Sequence, residues 1–366
     1  MKIIPRLLTA IALLLVFLIH YPKIHDGMQI IKANGNIIQV IENEKYAESD
    51  KIIFILAYSR TGSTFVGSIF REIQGAFYLY EPIRNLIYTF DIKGDGTLSG
   101  IHRNPRWHNR TQEMEVNLHA INSWVSCNLS SVCLPIQLEN DSTPNVHGCC
   151  GREAFNSCLQ AEEAYCENAS VKVMKFIRLR MRSLLSLLQS HANMKVIHLV
   201  RDPRGIMSSS VFIRSTLQKQ NVHKHCYNLL DDLKHAKKII LQYPDRLLIV
   251  NYENLADYPI RTARKMFEFA GLNLSTKIKD YIKRQTSADR DACIYCTRRK
   301  NSSATAMKWR AKLNANSSYF IYNACRRSNN VLGYLQLSSE NTLNNYSFPS
   351  RKLVDIHKEL LSDTYF

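Results

Sequence analysis

Residues 51–73 read KIIFILAYSRTGSTFVGSIFREI, and this stretch decides the fold. Lys51 to Tyr58 is a continuous apolar run rich in Ile and Phe, the pattern of a strand buried on both faces of a parallel sheet. Ser59 to Ser63 interrupt it with polar residues and Gly62. Val66, Ile69, Phe70 and Ile73 then recur at i, i+3, i+4 and i+7, which predicts a helix. A strand, a tight polar loop and a helix put the backbone N–H groups of Thr61 to Thr64 at a helix N-terminus, where unpaired donors and the helix dipole form an anion pocket. Gly62 permits the turn, Ser63 and Thr64 add hydroxyl donors, and Arg60 supplies permanent charge. A phosphate or sulfate group fits such a loop, although a plain turn before a helix has the same outline. The nucleotide P-loop wants Lys directly after its second Gly; here Ser63 follows Gly62 and the loop contains no Lys, which argues against an ATP or GTP enzyme.

Outward from this unit, a second strand at Phe77 to Tyr80 leads into Glu81-Pro82. Residues 91–168 follow with weak periodicity, four Asn-x-Ser/Thr sequons and six cysteines, and read as an insertion or lid. Regular structure returns with Val171 to Ile177, an amphipathic helix near Arg182 to Ser190, and a second buried strand at Lys195 to Val200 that ends in Arg201-Asp202-Pro203-Arg204. Pro203 suits the first turn of a helix. A helix through Asn228 to Leu241, a strand at Leu247 to Val250 and a helix from Ile260 to Ala270, stopped by Gly271, complete the pattern. Alternation of this kind predicts an α/β fold with a parallel sheet flanked by helices. Arg201 falls at the carboxyl end of a strand, where open α/β sheets bind ligands. Ser209, eight residues later, could share a phosphate with it; a salt-bridged strand end is the competing reading.

The chain has 366 residues and a formal charge of +17, with 45% apolar and 22% charged side chains, which excludes a disordered tail protein and points to an anionic partner. The compartment narrows the choice. Leu7 to Ile19 is apolar except for Thr9 and follows Lys2 and Arg6, so residues 7–21 read as a signal anchor with the lumen on the far side. At about 1.5 Å per residue the run barely spans a bilayer, and a cleaved signal is the alternative, although no small-x-small site follows. Ten cysteines and eight sequons, at Asn109, Asn128, Asn140, Asn168, Asn273, Asn301, Asn316 and Asn345, agree with a secretory compartment. The cysteines read as disulfides of undetermined pairing. Zinc is the alternative at Cys293 and Cys296, but no second pair repeats that spacing, so no metal is expected.

Two motifs together carry a family resemblance. SRTGSTF, FYLYEPI and KVIHLVRDPRGIMSS, with the later segment LLIVNYENLADYPIRTARKMFEFAGL, the run Met307 to Arg310 and Gly333-Tyr334, resemble the Golgi carbohydrate 6-O-sulfotransferases that act on galactose, N-acetylgalactosamine or N-acetylglucosamine. The resemblance covers Lys51 to about Leu335. It implies a P-loop-like sulfotransferase fold and the donor 3′-phosphoadenosine 5′-phosphosulfate. It also implies a 5′-phosphosulfate loop of Ser59, Arg60, Thr61, Gly62, Ser63, Thr64 and Phe65, and a 3′-phosphate motif of Arg201, Asp202, Arg204 and Ser209. The chain reads as a cytoplasmic tail (1–6), the anchor (7–21), a luminal stem (22–49), a sulfotransferase domain by the resemblance (50–340, with 91–168 its Cys-rich insertion) and a C-terminal tail (341–366). A type II Golgi membrane protein acting on a glycan or proteoglycan, without nucleic acid as partner and with a homodimer as one assembly state, is the expectation. A luminal protein that binds anionic glycans without catalysis is the alternative.

Sulfuryl transfer is an in-line displacement in which the protein positions the partners and stabilises charge on the leaving phosphate. Arg60 has that electrostatic task, since arginine stays charged and donates no proton at neutral pH. Glu81, after FYLY, is the base that the resemblance implies, and a salt bridge is its other reading. His198 lies in a buried strand and reads as a core residue. Arg178, Arg180 and Arg182 form either a glycan guide or a solvated basic face. Trp309-Arg310 are candidates to close over the nucleotide, without the glycine-rich basic motif that precedes the corresponding Trp in cytosolic relatives.

Overall fold

The computed structural model describes residues 50–83, 91–92, 98–99, 110–129, 155–209, 219–293 and 296–362. The expectations for the cytoplasmic tail, anchor and stem, and for Cys133, Cys149 and Cys150, lie outside the described residues. Five parallel strands make the sheet: β1 (Lys51–Ala57), β2 (Ala76–Tyr80), β3 (Val171–Phe176), β4 (Met194–Val200) and β5 (Leu247–Asn251), in the order β2-β3-β1-β4-β5. The expected α/β fold is the observed one. β1 is central, paired with β3 on one side and β4 on the other, which is why its apolar run is continuous: Ile53, Phe54 and Ile55 are fully buried.

Each face of the sheet carries its own core. On one side Ile53, Ile55 and Val250 pack with Val66 and Phe70 of α1 (Ser63–Arg71). On the other, Phe54, Phe176 and Val196 pack with Trp124 of α2 (Arg110–Val125). The insertion therefore contributes to the main core, and is not only a lid. In α2 the buried residues Val116, Ala120, Ile121 and Trp124 make a narrow stripe on an otherwise polar helix, which is why its periodicity was weak. Fully burying Trp124 there makes Trp124→Ala a loss of roughly 3–5 kcal/mol. A disulfide from Cys127 to Cys166 ties the end of α2 to the end of α3 (Phe155–Glu167).

The remaining helices of the sheet layers are α4 (Leu184–Ser190), α5 (Pro203–Ser208), α6 (Lys219–Gln242), α7 (Tyr252–Asp257), α8 (Pro259–Phe269) and α9 (Thr276–Thr286). Five short ones follow: α10 (Ser302–Met307), α11 (Ala315–Ala324), α12 (Arg326–Leu332), α13 (Glu340–Asn344) and α14 (Ile356–Leu361). Several begin at a side-chain cap, with Ser275, Asn301, Asn314 and Asp355 each accepting a first-turn N–H. Residues 341–362 are integral to the domain, which corrects the expectation of a tail. Leu343, Ile356 and Leu360 are buried, Arg351 pairs with Asp257, and Tyr334 and Arg351 share a β-bridge. A second disulfide, Cys226 to Cys325, fastens α6 to the end of α11 across 99 residues.

Candidate active site

β1 and β4 are neighbours in register, Ala57 beside Leu199, so the loops that leave their carboxyl ends meet although 140 residues separate Arg60 from Arg201 in sequence. In the first loop the carbonyl of Tyr58 accepts from both the N–H (3.3 Å) and the hydroxyl (2.6 Å) of Thr61. Thr61 is fully buried, and its amide is spent on the turn; this removes it from the donors expected for an anion. Phe65 and Val66 are bonded to the carbonyl of Gly62, and no side chain caps α1. The first-turn amides from Gly62 onward therefore face the cleft at the positive end of the helix. Arg60 (φ 67°) and Gly62 (φ 90°) both adopt left-handed backbone. Gly62 is required twice over, because a Cβ would also lie 2.5 Å from the ring of Tyr252. Ser59 is exposed on the outer side of the turn, whereas Phe65 lines the cleft.

The second loop locks onto the first. Arg201 donates from Nη1 to the carbonyl of Arg60 (2.8 Å), and Arg60 donates from Nε to the carbonyl of Ser209 (3.1 Å). The guanidinium of Arg201 lies 4.4 Å from the centre of the Tyr252 ring, and its Nε is buried without an acceptor among the described residues. Gly205 makes room for it, since a Cβ there would approach that Nε to 2.9 Å. Ser209 ends α5 and its hydroxyl donates to the carbonyl of Ile206 (3.0 Å), leaving its oxygen free to accept. Asp202 and Arg204 do not line the cleft. Asp202 caps α5, and Arg204, fully buried, grips both its carboxylate oxygens (3.0 and 2.7 Å) and stacks on Trp309 (4.3 Å). They brace the wall behind Arg201, so the structure gives this pair a supporting task instead of the expected ligand contact.

That brace extends to the chain's end. Glu253, just after β5, accepts from the Asp202 amide (3.0 Å) and from the Tyr334 hydroxyl (2.9 Å). Burial and then the neighbouring Asp202 charge push its pKa up. Trp309 lines the cleft, but Arg310 is buried behind it, donating to the carbonyls of Leu343, Phe348, Thr342 and Asn345. Tyr252, Gly205 and Glu253 were not singled out in the sequence. Gly205 in RDPRG was the one available signal, as a Gly within a helix.

Glu81 stands one residue past β2 with φ 45°. Its carboxylate bonds Lys175 of β3 (2.7 Å) and Arg178 (3.1 Å). Burial pushes its pKa up, but Lys175 and Arg178 outweigh this and hold it below the ordinary value. Lys175, fully buried, also reaches the Thr64 hydroxyl at 3.5 Å and so joins Glu81 to the first loop. Neither reading of the arginine triplet suits Arg180: it turns inward to Asp232 (2.9 Å), Asp231 (3.1 Å) and Asn228 on α6. Asp232 also accepts from the Tyr58 hydroxyl, which fixes the end of β1. Beside this group His198 is buried and His225 half-buried, and their pKa values fall to about 3 and about 4, through desolvation and then the Arg180 charge.

Opposite the two loops, Gln285, Thr286, Cys293, Cys296, Arg299, Lys308 and Lys312 close a cleft of about 340 Å³. Cys293 and Cys296 are joined as a disulfide, which answers the zinc alternative at that pair. A cleft with uncapped helix amides, two interlocked arginines and serine hydroxyls on one side is built for a doubly anionic ligand.

Comparison with known proteins identifies the family. The sulfotransferase domain family matches residues 50–332. Carbohydrate sulfotransferase 1 of Mus musculus is 30% identical over 354 residues, covering 83% of each chain. Carbohydrate sulfotransferase 3 of the same species is 24% identical over 338 residues, 81% of this chain and 70% of that one. Among solved structures, mouse sulfotransferase SULT7A1 complexed with PAP superposes with a TM-score of 0.38 at 10% identity, over 87% of this chain and 99% of that one. The strand-end loops, the parallel sheet and these relatives lead to one conclusion: the chain belongs to the sulfotransferase family, among the carbohydrate sulfotransferases, enzymes that transfer a sulfuryl group to a sugar.

Proposed function

We propose that the chain moves the sulfuryl group of 3′-phosphoadenosine 5′-phosphosulfate to the 6-hydroxyl of a galactose, N-acetylgalactosamine or N-acetylglucosamine residue in a glycan or glycosaminoglycan. The observation that carries the donor is the interlock of Arg60 and Arg201 at the start of α1, with the buried Arg201 Nε lacking an acceptor among the described residues. The amides of Gly62 to Thr64 and Arg60 would hold the 5′-phosphosulfate, and Arg201 with Ser209 the 3′-phosphate. Phe65 contributes an apolar side and Tyr252 a floor. Asp202 and Arg204 serve the same site by holding Arg201 in place. No metal is needed in this scheme.

In the reaction the sugar oxygen bonds to sulfur as the bond from sulfur to the phosphate oxygen breaks, and the hydroxyl proton goes to a base. We assign that base to Glu81. Lys175 and Arg178 keep it ionised, the form a base requires, and make it a weak one that accepts the proton late, once attack has made the hydroxyl acidic. Lys175, in reach of the Thr64 hydroxyl, would hold Glu81 beside the first loop. Type II anchorage in the Golgi membrane through residues 7–21, with the domain in the lumen, belongs to the same proposal, and homodimerisation is its assembly counterpart.

The test is incubation of the protein, expressed in a secretory host, with radiolabelled donor and a panel of desulfated glycans, followed by mapping of the sulfated carbon. Transfer to a 6-hydroxyl is expected. Sulfate found only at another carbon would discard the regiochemistry, and no transfer to any glycan would discard the whole proposal. Glu81→Gln is expected to leave donor binding intact and to lower turnover about a hundredfold or more. Unchanged turnover removes Glu81 from the reaction.

A further inference from the structure

The excess positive charge is not spread evenly. Residues 259–312 contain fourteen Lys and Arg against four Asp and Glu, a surplus of ten within a net charge of +17 for the whole chain. Only part of this serves the fold: Arg310 is buried and Lys308 pairs with Asp291. About half of the rest is carried on two helices that lead to the cleft. α8 starts directly after α7, whose Tyr252 and Ala256 line the cleft, and α9 ends at Gln285 and Thr286, which also line it. The two helices share one apolar core, Ala263, Met266 and Phe267 of α8 with Ile278 and Ile282 of α9. Their other sides expose Arg261, Arg264 and Lys265 (i, i+3, i+4) and Lys277, Lys283 and Arg284.

The band continues to the rim. Arg299 is held against the top of α9 by its amide bond to the Gln285 carbonyl (2.8 Å), which sets Arg298 and Lys300, both exposed, beside the cleft mouth. Lys277 and Arg284 are seven residues apart, roughly 10 Å along the helix axis. That spacing is comparable with the length of a disaccharide. A stable fold gains nothing from so many like charges on adjacent surfaces, which repel one another by a few tenths of a kcal/mol per close pair.

We infer that the exposed faces of α8 and α9, with Arg298 and Lys300, form a track for an acceptor polysaccharide that already carries a negative charge on recurring sugars. This rests on the chain acting on a carbohydrate and extends it from the reacting sugar to the polymer on either side. The track ends in the wall of the cleft, so a chain lying on it delivers a sugar to the site. Charge of this density also raises the rate of encounter with a polyanion and makes it salt-dependent.

The test uses the full chain and two polymers of equal length, hyaluronan and its carboxyl-reduced, neutral counterpart. Binding of the fluorescently labelled polymers without sulfate donor, and KM for each as acceptor with donor saturating, are measured at low and at physiological salt. Wild type is expected to bind hyaluronan at least tenfold tighter than the neutral polymer, with the difference shrinking as salt rises. The variant Arg261→Glu, Arg264→Glu, Lys277→Glu, away from the cleft, is expected to lose that difference while donor binding and kcat on a small neutral acceptor stay unchanged. Equal affinity of wild type for the two polymers, or a triple variant that keeps the preference, overturns the track. So does tighter binding to phosphatidylserine vesicles or duplex DNA than to hyaluronan at the same ionic strength. Donor bound with neither polymer sulfated instead counts against the proposed acceptor sugar, and the binding arm still decides the track.

Discussion

The two walls of the cleft are made by different means. One is the carboxyl ends of β1 and β4, where each functional charge is braced by another group: Arg60 by the Ser209 carbonyl, Arg201 by the Arg60 carbonyl and the Tyr252 ring. The other comes from the irregular chain and short helices after α9, and its lysines and arginines are mostly exposed. The first has fixed geometry and suits a small ligand of one shape. The second has charge with little geometry, which suits a polymer that presents many equivalent positions. Preorganisation is spent where bond-breaking charge must be met, and long-range attraction where a large partner must be gathered.

Breaking the braced wall should cost most. Arg201→Ala is expected to lower kcat/KM for the donor about a thousandfold, on the scale of roughly 4 kcal/mol for removing a preorganised donor, with no comparable fall in melting temperature. Arg204→Ala sharpens the contrast within one motif: it strands the buried Asp202 carboxylate and should destabilise the fold by about 3–5 kcal/mol in denaturant titrations, with ligand affinity reduced only through that loss. Three residues of sequence thus separate a ligand contact from a structural one.

Acid should reach the braced wall first. His198, buried, and His225, half-buried, are neutral beside Tyr58, with pKa values of about 3 and about 4 against 6.5 for an ordinary histidine. Below pH 6.5 the unfolded chain takes up protons that the folded one refuses, so stability is full above that pH and falls as pH drops towards 4 and 3. At pH 5 each histidine should cost about 2 kcal/mol, read from denaturant midpoints at pH 7 and pH 5. Replacing both by Leu should flatten the difference. The smallest effect belongs to the turn itself. Gly62→Ala meets the Tyr252 ring and a left-handed φ, and should weaken donor binding about tenfold, for roughly 1–2 kcal/mol of strain, in isothermal titration.

The same contrast explains what could be read in the sequence. β1, β4, β5 and α8 announce themselves because strands buried on both faces are continuous apolar runs and helices on them repeat every 3.6 residues. The two anion loops follow only as a pair: each alone has the outline of a plain turn or a salt-bridged strand end, and it is their placement at neighbouring strand ends that joins them. The division of labour within RDPR was hidden: Arg201 and Arg204 are chemically identical, and only their packing against Tyr252 and Trp309 tells them apart. Lys175 was hidden because a lysine inside an apolar strand gives no sign of its partner, and Glu81 comes to it from β2, two strands away from β1. The integration of residues 341–362 was hidden because it rests on single buried residues, Leu343, Ile356 and Leu360, and on side-chain-to-carbonyl bonds that leave no periodicity.

Those late contacts set an order of events during synthesis. The Tyr334 hydroxyl holds Glu253 under the Asp202 amide, Arg204 reaches the Ser350 carbonyl (3.4 Å), and Arg351 ties down Asp257 at the end of α7. A nascent chain that has released only residues 1–330 contains the residues of all five strands and both anion loops, with Trp309 to stack on Arg204, but not the Tyr334, Ser350 and Arg351 contacts. The last segment closes the core and the site together: a chain cut short before Tyr334 lacks the clamp, the core residues Tyr334, Ile356 and Leu360, and the carbonyls that satisfy the buried Arg310.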